Sequence, residues 1–354
     1  MILVDKRIQS LTRFGEAISL VLEGYNSESD TEFNRIINKS RSENPWFTEQ
    51  NILMSLRNWV EALAEENVNI WTEKYIDELM SRRKELNIAV VNAGNIPFVG
   101  LHDLLSVLLS GNSYLGKNAT GDSFLLPYIT SILCLVEPSY KENIRFVSRL
   151  ESMDAVIATG NNNSARYFKY YFGKYPHIIR KNRNGVGVLL GNESNEKLHE
   201  LGNDIFDYFG LGCRNISKLY VPKGYNFNKF FEAIEEFKGM LNHNKYMNNF
   251  DYNNSVLLLK QIPFLQNGFL IIRKENQIAS PVAVLHYEEY DDISGLKKNL
   301  LNTIEQLQCI VFEGNYLSDD FLLENIRVDF GKTQKPALWD YADGVDTVDF
   351  LLGL

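Results

Sequence analysis

The sequence predicts an α/β protein made of two doubly wound domains behind a helical N-terminal cap. Three observations predict it. Residues Asp5 to Leu86 carry apolar side chains at helical spacing. From Ile88 onward short β-branched runs alternate with helical periods, and from Gly185 a second alternation of the same kind begins. Strands alternating with helices favour parallel sheets with helices on both faces.

In the cap, Leu11, Phe14, Ile18 and Leu22 mark one amphipathic helix. Leu53, Leu56, Trp59, Val60 and Leu63 mark another, ahead of a polar turn at Glu65-Glu66-Asn67. Its role is packing. The first strand is Ile88–Asn92, followed by the turn Ala93-Gly94-Asn95-Ile96-Pro97 and a helix from Val99 to Ser110. Ser113–Lys117 is the next strand, with a helix around Leu125 to Cys134. Ala155–Thr159 then runs through Gly160-Asn161-Asn162-Asn163 into a helix from Ser164 to Tyr171. A parallel, doubly wound sheet binds ligands outside the carboxyl ends of its strands, which is where these three loops lie.

In the second set, Val186–Leu190 is a strand, Glu196–Gly210 a helix, Lys218–Val221 a strand and Phe227–Leu241 a helix. Apolar segments at Val256–Leu259, Gly268–Ile272 and Val282–Leu285 continue it. The division expected is therefore 1–184, the cap with a nucleotide-binding domain; 185–320, a catalytic domain carrying a cysteine; and 321–354, a C-terminal tail, dense in aromatics, docked on the domains or on a partner subunit.

Composition narrows the class. The 354 residues hold 36 Lys+Arg against 45 Asp+Glu, a net charge of −9, with 45% hydrophobic residues. Disorder does not fit this composition. The acidic balance argues against a protein that coats nucleic acid or anionic lipid, since polyanions are repelled at long range. Cys134, Cys213 and Cys309 are too few and too dispersed for a disulfide framework, and no Cys/His cluster has the spacing of a metal site. The start, Met1 to Arg7, places charges after a very short apolar run, unlike a signal peptide, and no apolar stretch reaches the roughly 20 residues of a membrane span. These features predict a cytoplasmic protein without a membrane span.

Cys213 lies in Phe209-Gly210-Leu211-Gly212-Cys213-Arg214-Asn215, where glycines let a backbone approach and Arg214 favours a thiolate. A thiol so placed suits attack on a carbonyl or thioester carbon. A lone cysteine is equally read as a small buried hydrophobe, the commoner case, and Cys134 and Cys309, in apolar periodic runs, are read that way. Asn95 either caps its turn or presents an amide to a developing oxyanion. Lys117 follows a strand, from which an ammonium can reach a ribose or phosphate. Gly160 and the asparagines after it open a helix, offering unpaired amides at its positive end. Neither G-x-G-x-x-G nor a Walker A pattern is present. Arg180, Lys181 and Arg183 read as a solvated turn, and His102, His199 and His286 as structural or solvated.

Taken in order, these fragments resemble the aldehyde dehydrogenase superfamily, and within it the acyl-CoA reductase branch, which includes the acyl reductase subunit of the bacterial luminescence fatty acid reductase complex. Asn95-Ile96-Pro97 matches N-[FY]-P. Tyr114-Leu115-Gly116-Lys117-Asn118-Ala119 is similar to V-x-K-P-A, and Ile157-Ala158-Thr159-Gly160-Asn161 resembles F-T-G-S. Gly210-Leu211-Gly212-Cys213 followed by Lys218-Leu219-Tyr220-Val221 resembles G-Q-x-C followed by R-[IV]-Y-V, and Gln277-Ile278-Ala279-Ser280-Pro281-Val282 resembles E-I-F-G-P-V. The resemblance, covering about residues 88 to 290, implies two α/β domains of aldehyde-dehydrogenase type. It implies that Cys213 is the nucleophile and Asn95 an oxyanion donor. It further implies that Lys117 and Thr120 bind the adenosine side of a nicotinamide cofactor, Gly160 and Asn161 its phosphates, and Gln277 the nicotinamide ribose.

Where the family's aldehyde oxidisers carry E-L-G-G-K, whose Glu activates water, this chain has His177-Ile178-Ile179-Arg180-Lys181, without the carboxylate. A site lacking that base protects a thioester from hydrolysis, which a thioester-to-aldehyde reductase requires. Thr120 stands where the family often has a Glu that repels a 2′-phosphate, so NADPH is expected, with NADH possible. Implied partners are an acyl-CoA or acyl-carrier thioester and further copies of the chain in a homo-oligomer. Two alternatives stay open: a non-catalytic nucleotide or acyl-CoA binding protein on the same fold, and an aldehyde oxidiser whose water is activated by another group such as His177.

Overall fold

The computed structural model describes residues 2–354 apart from Arg83 and Ser318, and the amino-terminal reading begins on Met1, outside the described residues. The chain divides into two compact units, Met1–Asn182 with Pro336–Leu354, and Arg183–Lys335. The segment 321–354, set apart by sequence as one tail, is thus shared between them.

The first unit opens with helices α1 (Val4–Glu23), α2 (Glu32–Glu43), α3 (Glu49–Ala62), α4 (Glu65–Glu73) and α5 (Ile76–Ser81). Leu11, Phe14 and Ile18 of α1 are fully buried, as the period requires. Thr31 and Thr48 cap α2 and α3 by accepting the Asn34 and Asn51 amides at 3.2 Å each. The expected turn at Glu65-Glu66-Asn67 is instead the first turn of α4. Carboxylates are favoured at a helix's positive end, so polarity there marks a start and not a stop.

Next come β1 (Asn87–Val91), α6 (Leu101–Leu109), β2 (Ser113–Lys117), α7 (Leu125–Val136), β3 (Ile144–Phe146), β4 (Ala155–Thr159), α8 (Asn162–Phe172) and β5 (His177–Arg180). The strands pair in the order β3-β2-β1-β4-β5, all parallel. Ile88, Ala89 and Val90 of β1 are all buried, as expected of a strand covered on both faces. Arg180 is not in a solvated turn: it ends β5, is buried, and grips Asp103 of α6 with two bonds of 2.6 and 2.9 Å. Its charge is neutralised by a carboxylate 77 residues away, which no local pattern reveals.

The second unit contains β6 (Asn184–Val188), α9 (Asn195–Phe206), β7 (Ile216–Pro222), α10 (Asn228–Ala233), α11 (Asn244–Leu259), β8 (Leu265–Gln266), β9 (Ile271–Lys274), β10 (Val284–Tyr290), α12 (Ile293–Asn302), β11 (Leu307–Val311), α13 (Phe321–Glu324) and β12 (Arg327–Val328). Strand order is β12-β11-β6-β7-β10-β9-β8, parallel except that β8 runs against β9. The helix expected over Phe227–Leu241 is broken at Ile234, beyond which Glu235–Asn242 continues as a 3₁₀ helix. Val256–Leu259 ends α11 and adds no strand. Cys134 and Cys309 are buried, in α7 and β11.

The chain's last helix, α14 (Thr347–Leu352), returns to the first unit, where Leu338, Tyr341, Val348 and Leu351 join its core. Trp71 Nε1 donates to the Tyr341 hydroxyl at 2.7 Å, and the Tyr75 hydroxyl donates to Asp346 at 2.6 Å. His102 is half-buried and hydrogen-bonded to the Leu338 carbonyl at 2.8 Å. Among the described residues no helix is long and apolar enough to cross a membrane.

Candidate functional site

The sequence-selected residues fall into two sets, one in each unit. In the first unit they occupy loops at the carboxyl ends of the neighbouring strands β2, β1 and β4. The chain runs from β1 to β2 and β3 on one side and to β4 and β5 on the other, so the β1 and β4 loops flank the topological switch point of the sheet. Asn95 is exposed in the loop after β1. That loop is fixed from below. Asn92 is buried and donates to the Tyr114 hydroxyl at 2.8 Å and to Asn118 Oδ1 at 3.0 Å, while Ser55 Oγ donates to the Pro97 carbonyl at 3.1 Å. Gly94 lets the β1 and β2 loops meet, since a Cβ there would lie 2.6 Å from the Ala119 Cβ.

Lys117 ends β2 with its side chain exposed, and its carbonyl accepts the Asn92 amide at 3.0 Å. Thr120 is exposed on the following turn. Gly160 follows β4, and a Cβ there would lie 2.8 Å from the Phe168 ring and 2.9 Å from the Ser164 Cβ, so the backbone hugs the start of α8. Asn161 caps that helix, accepting the Ser164 amide at 2.8 Å.

Asp122, in the loop after Lys117, was not selected from sequence. It is 5% exposed, and its Oδ1 has no hydrogen-bond partner. Burial, reinforced by the nearby Glu43 carboxylate, pushes its pKa up to about 7. An acid whose folded-state pKa is raised contributes stability in full below its unfolded value, near 4, and loses it as pH rises through about 7. Asp122→Asn cannot ionise. Its melting temperature relative to the parent should therefore climb between pH 5 and pH 8, and an offset that stays flat over that window would remove Asp122 as the titrating group.

In the second unit, Cys213 is exposed in the loop between α9 and β7, at the amino-terminal end of that strand, and forms no disulfide. The lead-in is strained. Tyr208 and Phe209 adopt left-handed φ of 52° and 59°, followed by Gly210 at 75°. Non-glycine residues there cost of order 1–3 kcal/mol each and persist only where the surroundings hold them. Both aromatic side chains are buried, and the Phe209 ring stacks on His243 at 4.1 Å. Asn215, 2% exposed, ties the loop together. Its Oδ1 accepts the Gly212 amide at 2.8 Å, and its Nδ2 donates to the Asp204 and Asp207 carbonyls, each at 2.9 Å.

Two carboxyls lie on this scaffold, Asp204 buried and Asp207 half-buried. Burial raises Asp204 to about 6, and burial with the Asp204 charge raises Asp207 to about 7. Arg214, selected as the cation beside the thiol, donates Nε–H to the Thr333 carbonyl at 2.7 Å. Gln277, after β9, has an exposed side chain while its carbonyl accepts His286 Nδ1–H at 2.9 Å. His177 opens β5 in the first unit, with Nδ1 donating to the Tyr175 carbonyl at 2.8 Å. Sequence reasoning missed Asn215 and Asn92 as organisers. Asn92 sits just past the end of β1 and Asn215 just ahead of β7, at element boundaries where an Asn side chain commonly bonds local backbone, and that was the available signal.

No protein-family model matches the chain, and no curated protein sequence does. Solved structures do. Aldehyde dehydrogenase 21 from Physcomitrella patens, in complex with the reaction product succinate, superposes with a TM-score of 0.62 at 12% identity, over 98% of this chain and 84% of that one. An aldehyde dehydrogenase from Bacillus cereus in complex with NAD+ gives 0.61 at 12% identity, over 92% and 74%. An NADP-dependent enzyme from E. coli gives 0.62 at 11% identity, over 92% and 76%. At such identities the likeness speaks for the fold, which is that of the aldehyde dehydrogenases.

Proposed function

We propose that this chain, with its aldehyde dehydrogenase fold, is an NAD(P)H-dependent oxidoreductase that reduces an acyl thioester, acyl-CoA or acyl-carrier bound, to the aldehyde through a thioacyl group on Cys213. The observation that carries the reading is Cys213 itself: an exposed thiol on a loop locked by Asn215 and reached through a strained turn, unlike the buried Cys134 and Cys309. The ordered motifs from Asn95 to Gln277 support it, as does the lack of a carboxylate at His177.

The first unit's loops suit a dinucleotide. Gly160 and Asn161 leave amides at the start of α8 for a pyrophosphate. Lys117 offers a cation for the adenosine ribose or phosphate, and Thr120 opposes no 2′-phosphate, which favours NADPH over NADH. Gln277 takes the nicotinamide ribose. A reduced nicotinamide so held supplies the hydride for the thioacyl carbon.

Cys213, as thiolate, attacks the thioester carbonyl, and Asn95 donates to the tetrahedral oxyanion. The carbonyl re-forms as the thiol of the carrier leaves with a proton. After hydride addition, collapse of the hemithioacetal breaks its carbon–sulfur bond, releases the aldehyde and restores the thiolate. Asn95→Ala should lower turnover by about 10²–10³, the usual loss for one oxyanion donor, without abolishing it. Steady-state kinetics check this, and a change under threefold would remove Asn95 from the role.

The experiment for the whole reading supplies aldehyde and NAD(P)+ with and without CoA. Acyl-CoA formation that depends on CoA is expected. Steady acid production without CoA would instead establish an aldehyde oxidiser, and coenzyme binding with neither product a non-catalytic binding protein. Assembly into a homo-oligomer in the cytoplasm belongs to the same proposal and is read by light scattering and cell fractionation.

A further inference from the structure

The faces of a parallel sheet are normally apolar, because helices cover both sides. One patch of the second sheet breaks this rule. Lys218 on β7, His286 on β10 and Arg273 on β9 are in register, so their side chains share a face. Lys218 is 1% exposed and His286 3%. Lys218 pairs with Glu288 at 2.5 Å, and Arg273 pairs with Glu275. Buried polar groups need partners, and a cation placed inside a sheet calls for a reason.

The segment after β9 supplies one. Three successive carbonyls each accept a hydrogen bond from a buried side chain of the sheet. Asn276 accepts from Lys218 Nζ at 2.8 Å, Gln277 from His286 Nδ1 at 2.9 Å, and Ile278 from Ser217 Oγ at 2.9 Å. The register of β6 with β7 slips so that Gly185 faces Ile216 and Val186 faces Lys218, leaving Ser217 as the bulged residue. Bulges of this kind re-aim a side chain. Burial lowers the His286 pKa, which keeps the ring neutral near pH 7, with its Nδ1–H held on the carbonyl. The segment therefore folds back across β10 to Ser217 of β7, four residues after Cys213, with its backbone fixed at three points and the Gln277 side chain left exposed.

From this geometry we infer that Lys218, His286 and Ser217 are positioning residues that aim Gln277 at the cofactor's nicotinamide ribose. The inference rests on the reading of the chain as a nicotinamide-dependent reductase. It adds that cofactor placement depends on an ion-paired lysine inside the sheet, which touches neither substrate nor cofactor. Glu288 holds that lysine and is itself held by Asn299 Nδ2 at 2.8 Å.

The test is a double-mutant cycle on full-length protein, read by NADPH fluorescence titration and by mass-spectrometric timing of Cys213 acylation from an acyl-CoA without cofactor. Gln277→Ala and Lys218→Met should each weaken NADPH binding about tenfold, the loss of one good hydrogen-bonded contact. The double variant should lose no more than either alone. Acylation should fall by a much smaller factor than affinity. Ser217→Ala should weaken binding in the same direction, and Ser217→Thr, which keeps the hydroxyl, should restore it. This pair carries the test if Lys218→Met does not fold.

Losses that add in the double variant, or variants that bind NADPH like the parent, would overturn the inference and leave the reductase reading intact. A parent protein that binds NADPH but never acylates would overturn the reductase reading alone. A parent that does not bind NADPH would overturn both.

Discussion

Replacing Cys213 by alanine should bring acyl-CoA-dependent NAD(P)H oxidation to background while NADPH binding persists. The proposed route passes through one carbon–sulfur bond, and no other described cysteine is placed to form it. Cys134 lies in a helix of the first unit and Cys309 is fully buried in β11, between β12 and β6. The substitution should leave the fold alone. The thiol is exposed, and Asn215 and the buried Tyr208 and Phe209 hold the loop. Surface changes of this kind usually fall within about 0.5 kcal/mol. Cys213→Ser makes the complementary point, because a serine hydroxyl is a far weaker nucleophile than a thiolate and should also fail. Intact-protein mass and NADPH absorbance read both variants, and an alanine variant that still turns over would end the assignment.

The largest stability effect is expected at Arg180. Its guanidinium donates to both oxygens of Asp103 and, at 2.9 Å, to Thr347 at the start of α14. Both charged side chains are less than a tenth exposed. Arg180→Met leaves Asp103 as a buried carboxylate without its counter-charge, a loss of about 3–5 kcal/mol. That is a large part of the 5–15 kcal/mol that typically separates folded from unfolded chains. The double variant Arg180→Met with Asp103→Leu should recover most of it, because removing both charges also removes the desolvation cost. Trp46, Trp59, Trp71 and Trp339, the four tryptophans of the chain, all belong to the first unit. Urea unfolding followed by tryptophan fluorescence therefore reports on the unit that holds this pair. Equal stability of Arg180→Met and the parent would show that the pair adds nothing.

How much of this was legible in the sequence depended on whether the deciding interaction was local. Strands β1, β2 and β4 were visible because short apolar runs stand between turn residues and helical periods. β5 was not, because His177-Ile-Ile-Arg180 closes on a basic run whose charge looks solvated until Asp103 is brought beside it. α11 was seen only at its apolar end, since asparagines dominate Asn244–Asn254 and hide the helical period. At the site, Cys213 and Asn95 could be picked out by residue type and turn context. The consecutive left-handed Tyr208 and Phe209 could not, because bulky side chains rarely take that conformation and nothing in the sequence announces it. The carbonyl anchors on Asn276, Gln277 and Ile278 come from β7 and β10, elements that only the sheet order brings together.

Intact-protein mass spectrometry after mixing the protein with an acyl-CoA, first without coenzyme and then with NADPH, tests the central claim most directly. The account predicts one acyl group on Cys213 that is stable in water and is discharged as aldehyde when NADPH is added. An acyl group that never forms, or that water removes as fast as NADPH does, would contradict it.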